Sequence, residues 1–251
     1  MLKNKFTLVE LIVVIAILAI LASLLTPSLR KTLEMTNLIS CSNNYKKLYI
    51  TFELYINDHQ FYPYAISSFQ GGTHGAITWD DYLGAGYDDR NLNLRDRAIK
   101  NEWSPVDKSN YGSKDMVQQY ACPSDSERDE TQYYKRSYSM NVNQYWWSNQ
   151  GYSNYWAVNN RSKPRWSASV DDIDNPAQTI LLTERQKGYL GSPGHAGTAT
   201  PSNLIEEAMH FSENNFLFGD GHSEKLFANE TWDETRPVTV AGKYWTRQSN
   251  D

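Results

Sequence analysis

From Phe6 to Leu25 the chain reads FTLVELIVVIAILAILASLL, twenty residues with one charge, Glu10. At about 1.5 Å of helical rise per residue such a run spans roughly 30 Å, the thickness of a bilayer's hydrocarbon core. Ile and Val are modest helix formers in water, but in lipid only helices and closed barrels satisfy the backbone. A five-residue leader, residues 1–5, precedes the run and carries Lys3 and Lys5. A secretory signal would have a shorter apolar stretch followed by a small-residue cleavage site. Ala22 and Ser23 mimic one, yet an amphipathic pattern follows without a break. A plain N-terminal anchor is the other simple reading. Neither accounts for Glu10.

Past Pro27 the pattern changes. Leu29, Leu33, Leu38, Cys41, Tyr45, Leu48, Phe52 and Tyr55 recur at three- to five-residue steps, while Arg30, Lys31, Glu34, Lys46, Lys47 and Glu53 fall mostly between them. This is the apolar stripe of a helix docked on a protein core. Asn57-Asp58 and Pro63 predict its end near residue 57. The two stretches, 6–27 and 28–58, predict one rod of about 50 residues, on the order of 75 Å, bent at Pro27.

Residues 59–251 are polar and aromatic, with short apolar runs. Ser137–Val142 and TILLT at 179–183, the latter after Asp174-Asn175-Pro176, read as strands. NFLF at 215–218 runs into Asp220-Gly221, a hairpin turn signal, and 222–227 returns. The expected fold class is α+β: a long N-terminal helix packed on an antiparallel sheet domain with long loops. Residues 86–135 are too irregular to assign.

Composition adjusts this picture. The chain has 251 residues, a net charge of −5 and no basic block, which argues against a nucleic-acid partner. Mean hydropathy is negative, so the apolar run is a single span attached to a polar body. Two cysteines exclude a disulfide-dense scaffold and a four-thiolate zinc site.

Glu10 is the informative residue. A carboxylate inside a span costs about 2.5–3.5 kcal/mol and calls for a partner. No Lys or Arg lies between Lys5 and Arg30. Cleavage between Lys5 and Phe6 would create one, an α-amino group that Glu10 of a neighbouring copy could neutralise. That pairing sets a one-step stagger between helices.

The string Lys5-Phe6-Thr7-Leu8-Val9-Glu10, with the apolar run and Pro27, resembles the signal of type IV prepilins and type II secretion pseudopilins. The resemblance implies a membrane prepilin peptidase that cuts before Phe6 and methylates the new amine. That family usually has Gly before the cut, where this chain has Lys5. Further along, Cys41-Ser42-Asn43-Asn44, Cys122-Pro123-Ser124-Asp125, Ser137–Asn141 and Asp174-Asn175-Pro176 are similar to the pilin-like proteins with a C-terminal H-x9-DG segment. Here that segment is His210 through Asp220-Gly221, followed by His222. The resemblance implies a single-pass inner-membrane protein with a cytoplasmic N-terminus and a periplasmic or filament-borne C-terminal domain. Its implied partners are prepilin peptidase, copies of itself and other pilin-like subunits, the inner-membrane secretion platform and the lipid bilayer.

Several residues remain to be weighed. His210, Asp220 and His222 could ligate a divalent ion. The simpler reading is structural: Asp220-Gly221 builds a turn and His210 hydrogen-bonds across it. Major pseudopilins bind calcium in a C-terminal loop, and Asp125, Asp129, Asp171, Asp172 and Asp174 offer oxygens, but no 12-residue calcium loop is present. A solvated acidic turn is expected, and no cofactor. Cys41 and Cys122, in an oxidising compartment, are expected to pair; two buried thiols are the alternative. Trp146, Trp147, Tyr152, Tyr155 and Trp156 surround Gly151 and would suit stacking on sugar rings or ordinary packing. No G-x-S-x-G, H-E-x-x-H, Walker A or G-x-G-x-x-G motif occurs, and His195 is a lone loop histidine. An enzyme is not expected. The leading expectation is a pilin-like structural subunit assembled through its N-terminal helix. The alternative is a membrane-tethered surface binding module, an adhesin or polysaccharide binder, that uses the aromatic-rich ectodomain.

Overall fold

The computed structural model describes residues 7–63, 66–68, 76–91, 106–107, 118–125, 133–134, 137–141, 167–184, 198–199, 210, 213–231 and 244. Helix α1, Leu8–His59, is a single element of 52 residues, about 78 Å long. Thr7 is its N-cap: its side chain accepts from Glu10 N–H, and the Glu10 carboxylate accepts from the Thr7 N–H at 2.8 Å. This reciprocal arrangement satisfies two of the donors that a helix start leaves free.

The helix continues through Pro27. Proline removes one backbone donor, and hydroxyls donate to carbonyls on either side: Thr26 Oγ1 to Ala22 O at 2.7 Å and Ser28 Oγ to Leu25 O at 3.3 Å. The C-terminus lies beyond the expected Asn57. Asn57 and Asp58 stay helical, and Gln60 ends α1 in a left-handed conformation, its N–H donating to Ile56 O at 2.7 Å. Asp58 is held there by Tyr87, whose hydroxyl donates to its carboxylate at 3.0 Å.

Every residue from 7 to 36 is exposed. Burial starts around Cys41 and follows Asn44, Tyr45, Leu48, Thr51, Phe52, Tyr55 and Ile56, one face of the helix. That face packs on the sheet through β8 and β9.

The strands in chain order are β1 (Ile66–Ser68), β2 (Ala76–Thr78), β3 (Val106–Asp107), β4 (Tyr133–Tyr134), β5 (Tyr138–Asn141), β6 (Ile180–Glu184), β7 (Thr198–Ala199), β8 (Asn214–Phe218) and β9 (Ser223–Leu226). β1–β2 and β3–β4 are small antiparallel pairs. The main sheet has the order β7-β5-β6-β8-β9. Each neighbouring pair among β5, β6, β8 and β9 is antiparallel, and β7 adds a short parallel edge. A short helix α2, Trp79–Leu83, packs against α1, with Trp79 stacked on Phe52 at 5.5 Å. The layout is α+β.

All five residues of both β6 and β8 are buried, so both sheet faces are covered there. Leu217 joins the α1-side core of Tyr45, Leu48 and Phe52. Phe218 stacks on His222 and meets Tyr244 edge-on. Between Ile180 and Leu182 the β6–β8 register shifts by a bulge, which lets Leu181 and Leu182 both enter the core.

Candidate functional site

The polar centre of the body lies where α1, the 118–125 segment, the end of β6 and the start of β8 converge. Cys41 and Cys122 are joined by a disulfide with a Cα–Cα distance of 5.3 Å. Asn44, one helical turn after Cys41, ties the same two segments by donating to Ala121 O at 2.9 Å. Asp125 N–H donates back to Cys122 O, and Ser137 Oγ donates to the buried Asp125 carboxylate at 2.7 Å.

Against the disulfide lies a buried histidine hydrogen-bonded to a carboxylate. His210 Nε2 is 3.0 Å from Glu184 Oε1 and 3.3 Å from Cys122 Sγ, with the two side chains 1% and 0% exposed. Burying a carboxylate is costly unless every oxygen is paired. Glu184 meets that condition: Asn215 donates to it from both its backbone N–H, at 3.0 Å, and its side-chain Nδ2, at 2.9 Å. The other imidazole nitrogen, Nδ1, is 3.3 Å from Ser124 Oγ. With Nε2–H donating to the carboxylate, Nδ1 accepts from the Ser124 hydroxyl. His210 also exchanges both backbone hydrogen bonds with Glu213. Above the pair, Tyr45 hydroxyl donates to Asn215 O at 2.9 Å. Burial and then the Glu184 charge push the Tyr45 and Tyr138 phenols well above their ordinary range.

His210 is therefore not a partner of Asp220 and His222. Those two sit at the far end of β8, on the exposed hairpin tip, where His222 Nδ1 is 2.5 Å from Asp220 Oδ1. Asp220 also accepts from His222 N–H, which makes the tip an Asx turn. Gly221 follows at φ +88°, with Tyr49 of α1 lying where a side chain would project. The H-x9-DG segment thus uses its two ends separately: the His secures the disulfide region and the Asp-Gly seats the hairpin tip on the helix.

Two of the acidic residues considered for calcium have local duties. Asp172 caps its own 3-10 turn by accepting from Ser169 N–H at 2.8 Å, and Asp125 serves Ser137. Asp129, His195, the aromatic group at 146–156 and the Lys5–Phe6 junction lie outside the described residues.

Two features escaped the sequence reading. Glu184 closes an apolar strand, and only its burial reveals that it needs a partner. A second buried network joins Arg90 to Asp88, Asp80 and Tyr120. Burial works against the Arg90 charge, but Tyr120, Asp88 and Asp80 outweigh it and raise its pKa.

No protein-family model, curated protein or solved structure matches the chain. What the protein does must be read from the helix and the body it carries. Near the N-terminus one helix is long and apolar enough to cross a membrane.

Proposed function

We propose that the chain is a pilin-like structural subunit, held in the inner membrane by α1 and assembled through that helix into a filament of the type II secretion or type IV pilus kind. One observation carries the reading. α1 is a single element: it and its N-cap are exposed at every position from 7 to 36, while its last third is locked into the core. A helix that served only as an anchor has no need of a carboxylate among its first apolar residues.

Glu10 fits both the stored and the assembled form. In one subunit its carboxylate takes the Thr7 N–H and hydroxyl, which offsets part of the cost of insertion. On assembly the Phe6 amine of the neighbouring copy would add the charge that these neutral donors lack. Cleavage between Lys5 and Phe6 by prepilin peptidase, with methylation of Phe6, belongs to this reading.

Glu10→Gln tests it. The variant should insert into the membrane at the wild-type level and fail to assemble, as read by crosslinking between copies and by filament microscopy. Filaments at wild-type abundance would remove the proposal. N-terminal sequencing of mature protein should begin at N-methylated Phe6, and an intact Met1 would leave a simple anchor.

A further inference from the structure

The disulfide does not explain what surrounds it. A cystine needs no charged neighbour, yet a carboxylate and an imidazole are buried against its sulfur. Cys41 Sγ, Cys122 Sγ, a Glu184 oxygen and a His210 nitrogen all lie within 4.8 Å of one another, every residue buried. Tetrahedral zinc with sulfur, nitrogen and oxygen ligands has ligand-to-ligand edges of about 3.3–3.8 Å. Three edges here already bracket that range: His210 to Glu184 at 3.0 Å, His210 to Cys122 at 3.3 Å and Cys122 to Glu184 at 4.0 Å.

We propose that Cys41, Cys122, Glu184 and His210 form a redox-gated metal site, which holds one divalent ion of zinc's type when the two cysteines are thiolates and releases it when they are bridged. Two thiolates, one imidazole and one carboxylate make a mixed soft and borderline donor set that favours zinc over calcium or magnesium.

The surroundings are those of a metal site. Ligating histidines are oriented by a bond to their other nitrogen, and ligating carboxylates by hydrogen-bond donors. Ser124 Oγ stands at His210 Nδ1, and Asn215 donates twice to Glu184. On metal binding Nε2 becomes the ligand, the imidazole proton resides on Nδ1, and the Ser124 oxygen accepts it. The ion would join four segments, from α1, residues 118–125, the end of β6 and the approach to β8, where the disulfide joins two.

The two forms differ by two electrons. A dithiol that breaks the Cys41–Cys122 bond transfers two hydrogens to the sulfurs and closes its own disulfide. Zinc then displaces both thiol protons to solvent. A newly made chain with thiols not yet oxidised would have the same staple before its cystine forms.

The experiment uses the full chain in detergent, without oxygen, titrated with cobalt(II) as the probe. One sample keeps the disulfide. The other is reduced by a water-soluble phosphine, which becomes the phosphine oxide with oxygen from water as the two thiols form. The reduced chain should take up one cobalt, with a sulfur-to-metal charge-transfer band and tetrahedral visible bands, and zinc should bleach both. The bridged chain should show neither. Glu184→Gln and His210→Gln should each weaken binding by about tenfold or more. Should the reduced chain unfold, zinc is expected to restore its near-ultraviolet dichroism. Absence of cobalt uptake by the reduced wild-type chain, uptake equal in both variants, or an unfolded chain that zinc does not restore would each overturn the proposal.

Discussion

A Cβ built on Gly221 would lie 2.5 Å from Cδ1 and Cε1 of Tyr49, at a φ of +88° that side chains resist. Gly221→Ala should therefore destabilise the protein by about 1–3 kcal/mol, measured by urea unfolding. Tyr49→Ala in the same chain should recover part of this loss, because it removes the clash and leaves the backbone strain. Tyr49 itself is pushed up to about 12 by partial burial, then by the charge and hydrogen bond of Glu53 and by Asp220. A phenol whose folded pKa lies above its ordinary 10 binds more protons folded than unfolded between those values, so stability is full below pH 10 and falls as pH rises toward 12. Tyr49→Phe should flatten the part of that fall due to this residue, read as the urea midpoint against pH. His210→Ala should cost about 1–3 kcal/mol in the same assay, since it takes a hydrogen-bond donor from the buried Glu184 carboxylate. The residues differ in how legible they were. The Asp-Gly turn and the paired cysteines announce themselves by type. Glu184 does not, because its burial is decided by α1 and the 118–125 segment, far away in the chain.

At the level of elements, the helix and strands β5, β6, β8 and β9 were legible from period and turn residues to within two positions of their ends. Helical period fixed which face of α1 is buried from Cys41 onward, but Leu29 and Leu33, at the head of the same stripe, are exposed because the body begins only further along the helix. The error at the C-terminus of α1 has a tertiary cause: Tyr87 holds Asp58 in the helix, and the chain turns left-handed only at Gln60. The Arg90 network could not be read, since Asp80, Asp88 and Arg90 show no regular spacing and Tyr120 joins them from 30 residues away. The disulfide closes a sequence separation of 81 residues, and by chain entropy its loss should destabilise the metal-free body by about 4.5 kcal/mol. Comparing urea unfolding of the wild type with that of Cys41→Ser/Cys122→Ser in the presence of chelator measures it.

The whole molecule divides at the point where α1 enters the body. Residues 7–36 contribute nothing to the described core, so a chain beginning at residue 37 should stay in solution without detergent. Its melting temperature should match that of the bridged full-length chain; a large drop would mean that the exposed part of the helix supports the body. Placement of the disulfide adds a mechanical consequence. Cys41 stands at the first fully buried position of a long lever, where a load applied along the helix would reach the sheet. The covalent link carries tension past the packed aromatic face directly to the 118–125 segment. Under pulling from both ends, the 81-residue separation between the cysteines would stay closed and withhold about 280 Å of contour length. A force trace should gain that length only after reduction, so the bond acts as a stop that limits how far the body yields under load.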